Sequence, residues 1–197
     1  MGRGEVTRER IVATAAGVFN ERGFAGASMA DLMAATGLQK GGIYRHFESK
    51  EALALEAFDH AISCVSDRYT AALRGKTHAV DRLHAIVGVF ADIPENPPVP
   101  GGCPVMNAII ESDDANPALR DRARDAMDGL RGLLRRITER GMERGEIRPG
   151  TDPEALATVM VSTLEGALAL ARFYGQPEHM TYAVEHVRRH LEGSVRA

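Results

Sequence analysis

The chain has 197 residues, 44% of them hydrophobic, which is enough for a substantial core and too much for a disordered chain. With 6 Phe, 4 Tyr and no Trp beside many Ala, Leu and Arg, the composition favours helices over a β-sandwich. The 24 Lys and Arg against 27 Asp and Glu leave a net charge of −3, which taken alone suggests no nucleic-acid partner.

Taken in chain order, apolar positions recur at spacings of three and four almost throughout, without a convincing run of strand alternation. Thr7 or a neighbour opens a first helix, with Ile11, Ala15 and Phe19 on one face and Gly23 ending it. Ser28 then caps a short helix holding Leu32 and Met33, which stops at Gly37, and a second short helix is expected from Gly42 to Phe47. Ser49 caps a long helix with the seam Leu55, Phe58, Ile62, Val65 and Tyr69. A helix near residues 79–93 runs into PENPPVPGGCP, where five of the nine prolines force a turn. Another helix follows near residues 105–112.

Asn116-Pro117 reads as an N-cap and first helical residue of a long helix with Met127, Leu130, Leu134 and Ile137 inward. Its other face carries Arg120, Arg124, Asp125, Asp128, Arg135 and Arg136, expected to form solvated i, i+4 pairs. Asp152-Pro153 repeats the start signal for a helix reaching Tyr174 that has little polar face, so much of its circumference should be buried. After Gly175 and Pro177 a last helix bears Val184, Val187, Leu191 and Val195. The reading is an all-α chain of about nine helices.

Several classes find no support. No apolar run approaches the ~20 residues of a bilayer span, and no apolar segment of a secretory signal follows the first residues. Cys64 and Cys103 stand far apart and read as free thiols of a cytoplasmic protein. His186 and His190 have a metal-compatible i, i+4 spacing, but no third ligand stands beside them and Arg188 and Arg189 repel a cation. Neither a metal nor a cofactor is expected. A Gly-rich phosphate loop after a strand, a GxSxG elbow and an HExxH pair are all missing, so no enzyme is expected.

The informative stretch is SMADLMAATGLQKGGIYRHFESK, from Ser28 to Lys50. It reads as two short helices around a tight turn at Gly37-Leu38, with Leu32, Leu38 and Ile43 inward, which is the geometry of a helix-turn-helix. Gly41 and Gly42 weaken the second helix; a close approach of backbone to DNA accounts for them, and so does a simple loop turn. This stretch, together with Phe19 and the ERGF turn at Glu21–Phe24, resembles the N-terminal domain of the tetracycline-repressor (TetR) family of transcription regulators. The run from Gly37 to Leu53 is that family's most specific signature. Met33 and Gln39 depart from the family's commoner Ala and Ser or Thr.

The resemblance implies a helix-turn-helix DNA-binding domain over residues 1–50 and a ligand-binding and dimerisation domain over 51–197. Charge supports that division, because residues 1–50 carry 7 basic against 5 acidic groups and the remainder 17 against 22. The resemblance places Gln39, Lys40, Gly41 and Gly42 at the base edges and Tyr44, His46 and Lys50 on phosphates. Arg45 reaches a base, the backbone or water, and Ser28 either caps alone or also meets a phosphate. Tyr44 and His46 keep an alternative as ordinary core or surface aromatics, and Lys50 one as an ordinary exposed lysine.

The implied partners are a palindromic operator in double-stranded DNA, a small-molecule inducer, and a second copy joined through the last two helices; no membrane is implied. Inducer-pocket candidates, on helices that the family uses around its cavity, are Phe90, Met106, Asn107, Ile110, Met127 and Phe173, each with ordinary core as the alternative, together with Glu111, a polar group on an apolar helix that needs a partner. Cys103, behind Gly101-Gly102 and before Pro104, is a further candidate as an exposed helix-start thiol, with a structural role as the alternative.

Overall fold

A computed structural model describes residues 2–112 and 116–197. Among them the chain forms α1 (Arg3–Arg22), α2 (Met29–Thr36), α3 (Lys40–Tyr44), α4 (Lys50–Leu73), α5 (Ala79–Asp92), α6 (Pro104–Ser112), α7 (Pro117–Glu143), α8 (Pro153–Tyr174) and α9 (Glu178–His190). A π-helical turn, Leu191–Val195, follows α9, and an isolated antiparallel bridge joins Ile147 to Arg196. The all-α reading holds among the described residues.

Local chemistry explains most boundaries. Ser28 and Asp31 form a reciprocal capping box at α2, and Gly37 ends that helix at φ 70°, a left-handed conformation that suits glycine. Asn116 Oδ1 accepts from Leu119 N at 3.1 Å, and Asp152 accepts from Glu154 N and Ala155 N, so both Asx-Pro starts behave as read. Two boundaries differ from the sequence reading. Helix α1 begins at Arg3 rather than Thr7, because Glu5 reaches back to Gly2 N at 2.8 Å and extends the cap upstream. Helix α3 starts at Lys40 rather than Gly42, with Gln39 as its extended N-cap, and it ends at Tyr44.

By contact the chain groups into two compact units, residues 1–65 with 98–124 and residues 66–97 with 125–197. In the first, Ile11, Ala15, Phe19, Leu32, Ile43, Leu53 and Phe58 are buried. Phe24 stacks on Phe19 at a centroid distance of 5.6 Å and meets Phe58 edge-on at 6.1 Å. In the second, Leu83, Ile86, Val87, Phe90, Leu134, Met160, Leu164, Leu168 and Leu191 form the core. This grouping places α6 with the helix-turn-helix, whereas the sequence reading put a division at residue 50.

Helix α8 corrects two sequence expectations. Its 22 residues are long and apolar enough, by length and composition, to cross a membrane, contrary to the reading that no segment is. Half of that span is buried inside the folded chain, as in the core helix of a helical protein. The other half leaves Val159, Leu170, Phe173 and Tyr174 exposed, so its burial within one chain is less complete than its composition suggested. Among the described residues, the ion pairs within α7 are not at i, i+4. Arg131 pairs with Asp128 at i, i+3, and Arg131 and Arg135 both reach Glu154 of α8.

Candidate nucleic-acid interface

The turn at Gly37 sets α3 after α2, and Leu32 and Ile43 anchor the two helices through their buried side chains. That anchoring leaves Gln39, Lys40, Gly41, Tyr44 and Arg45 exposed, with Gly42 and His46 half-buried. Gln39 makes no side-chain capping bond at α3, so its amide remains available for recognition. Lys40 and Tyr44 lie one turn apart, the Lys40 Nζ 5.7 Å from the ring centroid. His46 tilts against Phe47, a buried ring that also receives the Arg8 guanidinium at 4.8 Å.

The two glycines of α3 are not demanded by the fold. A Cβ on Gly41 would meet nothing within 4 Å, and one on Gly42 would make ordinary contact with Leu38 at 3.6 Å. Neither residue has positive φ, and Gly41 and Gly42 lie inside a helix rather than in a loop turn. In that setting Ala would be the more stable residue.

At the start of α2 the Ser28 hydroxyl donates to Asp31 at 2.7 Å and accepts from Asp31 N at 3.2 Å. The hydroxyl proton is thus already engaged, although Ser28 itself is exposed. Hydrogen bonds from Ser28 and, behind them, the charge of Arg22 hold the Asp31 carboxyl below its usual range. Arg22 pairs with Asp31 at 2.7 Å and so offsets an anion standing beside the helix N-terminus. Lys50, the first residue of α4, donates from Nζ to Ala25 O at 3.4 Å.

The pocket candidates are scattered. Phe90 is buried against Tyr69, at a centroid distance of 6.3 Å. Met106, Met127 and Cys103 are half-buried, and neither Cys64 nor Cys103 is in a disulfide. Ile110 is 75% exposed and Phe173 81%, so neither walls an enclosed cavity in its own unit. Asn107 and Glu111 find partners in main chain and side chain of α1 and the turn after it, not in a cleft. Clefts of about 440 and 470 Å³ in the second unit have other linings: Asp152, Val159 and His190 in one, Arg68, Gly88 and Asp92 in the other.

Residues 11–57 match the family model described as "Bacterial regulatory proteins, tetR family", and residues 79–187 match "Tetracyclin repressor-like, C-terminal domain". The chain belongs to the TetR family. A crystal structure of a TetR regulator from Chloroflexus aurantiacus superposes with a TM-score of 0.96 at 48% identity, covering 100% of this chain and 99% of that one. The transcriptional repressor DhaR of a Mycobacterium species is 27% identical over 82% of this chain and 80% of its own length. The Escherichia coli repressor NemR is 25% identical over 92% of both chains. As a member of the TetR family, the protein is a helix-turn-helix transcription regulator, and α2 and α3 are its helix-turn-helix.

Proposed function

We propose that this chain is a homodimeric repressor that holds a palindromic operator through α2 and α3 of each protomer. A small-molecule inducer bound to the body of the protein releases it. The observation that carries the reading is the bare backbone of α3. The fold has room for side chains at Gly41 and Gly42 and would gain helix stability from them. What excludes a side chain there lies outside the chain, and a DNA surface pressed against the front of α3 supplies that exclusion.

Around this bare strip stand Gln39, Lys40 and Arg45 for base edges, with Tyr44, His46, Lys50 and the N-terminus of α2 that Ser28 caps for phosphates. A second copy would pack through α8 and α9, and two recognition helices would then enter successive major grooves ~34 Å apart. The inducer would shift the dimer towards a spacing that fits the operator less well, with Phe90, Met106 and Met127 as candidates to meet it. Such a regulator works in the cytoplasm, where the DNA is.

The test is capture of sheared genomic DNA from the host on the purified chain, followed by sequencing. Retained fragments sharing an inverted repeat support the reading. Absence of any enriched fragment at moderate salt would overturn it.

A further inference from the structure

Asn107 and Glu111 lie one turn apart on one face of α6. Glu111 Oε2 accepts from the main-chain N–H of Phe24 at 2.7 Å and of Ala25 at 3.3 Å. These donors belong to the turn between α1 and α2. Asn107 Nδ2 lies 3.0 Å from Asn20 O, 2.9 Å from Asn20 Oδ1 and 2.9 Å from Gly101 O. Asn20, buried near the end of α1, in turn donates to Pro100 O at 2.7 Å and Gly102 O at 3.0 Å.

Glycine stands on both sides of this contact, at positive φ of 84° for Gly23 and 105° for Gly101. A Cβ at Gly23 would stand 2.6 Å from Glu111 Oε1, and one at Gly101 2.5 Å from the main chain of Asn20. Main-chain amides bonded to a carboxylate are held more firmly than amides bonded to water or to a neutral acceptor. The same short turn leads to Ser28, the N-cap of α2, and its Ala25 carbonyl receives Lys50 Nζ. Two phosphate candidates from different helices therefore depend on a turn whose N–H groups are taken by a residue 86 positions or more away.

We propose that Glu111 is a positioning residue for operator binding. It fastens the α1–α2 turn so that Ser28 and Lys50 face the phosphate backbone together, and Asn107 holds α6 in register with α1 to make this possible. This rests on the DNA-binding reading above.

The experiment compares the unaltered chain with Glu111→Met and Glu111→Gln on a genomic fragment that the unaltered chain retains. Glu111→Met keeps the bulk and removes the acceptor, and binding is expected to fall about tenfold. Glu111→Gln keeps one acceptor oxygen and should stay within about threefold. Hydrogen exchange at the Phe24 and Ala25 amides should accelerate in the Met variant and much less in the Gln variant. Because Lys50 is already misplaced in Glu111→Met, adding Lys50→Ala should cost less than it does in the unaltered chain.

Unchanged binding by Glu111→Met overturns the proposal, as do equal losses in the Met and Gln variants or independent effects of Glu111 and Lys50. If Glu111→Met does not fold, Glu111→Asp, one methylene short of the turn, takes its place with the same readings. A chain that folds but binds no DNA in any form overturns the regulator reading and this proposal together. Binding that persists in every variant overturns only this proposal.

Discussion

Lys40 holds its ammonium over the ring of Tyr44, 5.7 Å from the centroid, on the exposed front of α3. The ring steers a long, flexible cation that would otherwise sample many rotamers. Tyr44 therefore has two separable parts, a ring that positions Lys40 and a hydroxyl that can meet a phosphate. Tyr44→Phe should weaken operator binding uniformly across sequences and leave base preference intact. Tyr44→Ala should weaken it further and relax preference at the base pair that Lys40 is proposed to read. A binding profile over operator variants checks both, and identical profiles for the two variants would remove the positioning role.

Gly41→Ala separates stability from function. The added methyl enters open space in a helix, so the folded chain should become more stable by about 0.5–1 kcal/mol. Operator binding should nevertheless drop about tenfold or more, because the methyl occupies the approach of the DNA. Denaturant unfolding and a gel shift on the same preparation measure the two effects. A more stable protein with undiminished binding would leave the glycine without an external cause.

The contrast between Gly41 and Glu111 shows what a single sequence makes legible. Caps and turns act within four residues, so Ser28, Gly37, Asn116 and Asp152 announced their helices, and the Ser28–Lys50 motif located the helix-turn-helix. The start of α3 was missed because Gln39 caps it through its backbone alone, leaving no side-chain signal. The partners of Asn107 and Glu111 were illegible for another reason. Polar residues on an apolar helix reveal that a partner must exist, but apart from the Gly101 carbonyl the partners lie 86 to 87 residues away and are largely main chain. Main-chain atoms carry no sequence identity to match. The same holds for the exposed half of α8, since hydropathy registers an apolar surface without telling which molecule covers it.

Glu192 ties down the end of the chain and gives the second unit an acid-sensitive joint. Arg196 Nε donates to it at 2.7 Å and His84 Nε2 lies 2.6 Å away; together, Arg196 first, they hold its carboxyl down to about 2. Arg196 also reaches Asp81 at 2.7 Å, and the tail continues with Ala197 N on Glu146 O at 3.2 Å. A carboxyl with a depressed folded-state pKa contributes stability above its ordinary value of 4.5, and that contribution disappears as pH falls towards about 2. Glu192→Gln should therefore be less stable than the unaltered chain near neutrality, with the two urea midpoints converging as pH falls through that window. Solvent and salt screen so exposed a cluster, so the difference should shrink in high salt. Parallel midpoint curves across the window would contradict the linkage.

The exposed stripe on α8 provides the last prediction. Val159, Gly166, Leu170, Phe173 and Tyr174 follow helical spacing along one side, and a Cβ at Gly166 would meet nothing within 4 Å. On α9, Tyr182 is 66% exposed. Within one chain Leu170 is 47% and Phe173 81% exposed, so charges placed at these two positions cost little in folding. The double variant Leu170→Glu with Phe173→Glu should melt close to the unaltered chain and sediment as a monomer, because like charges would face each other across a two-fold contact. Losing the partner also removes the second half-site from the same complex, so operator affinity should fall by about 10²-fold or more with the base preference of each half-site unchanged. A variant that remains dimeric at micromolar concentration would move the subunit contact away from α8.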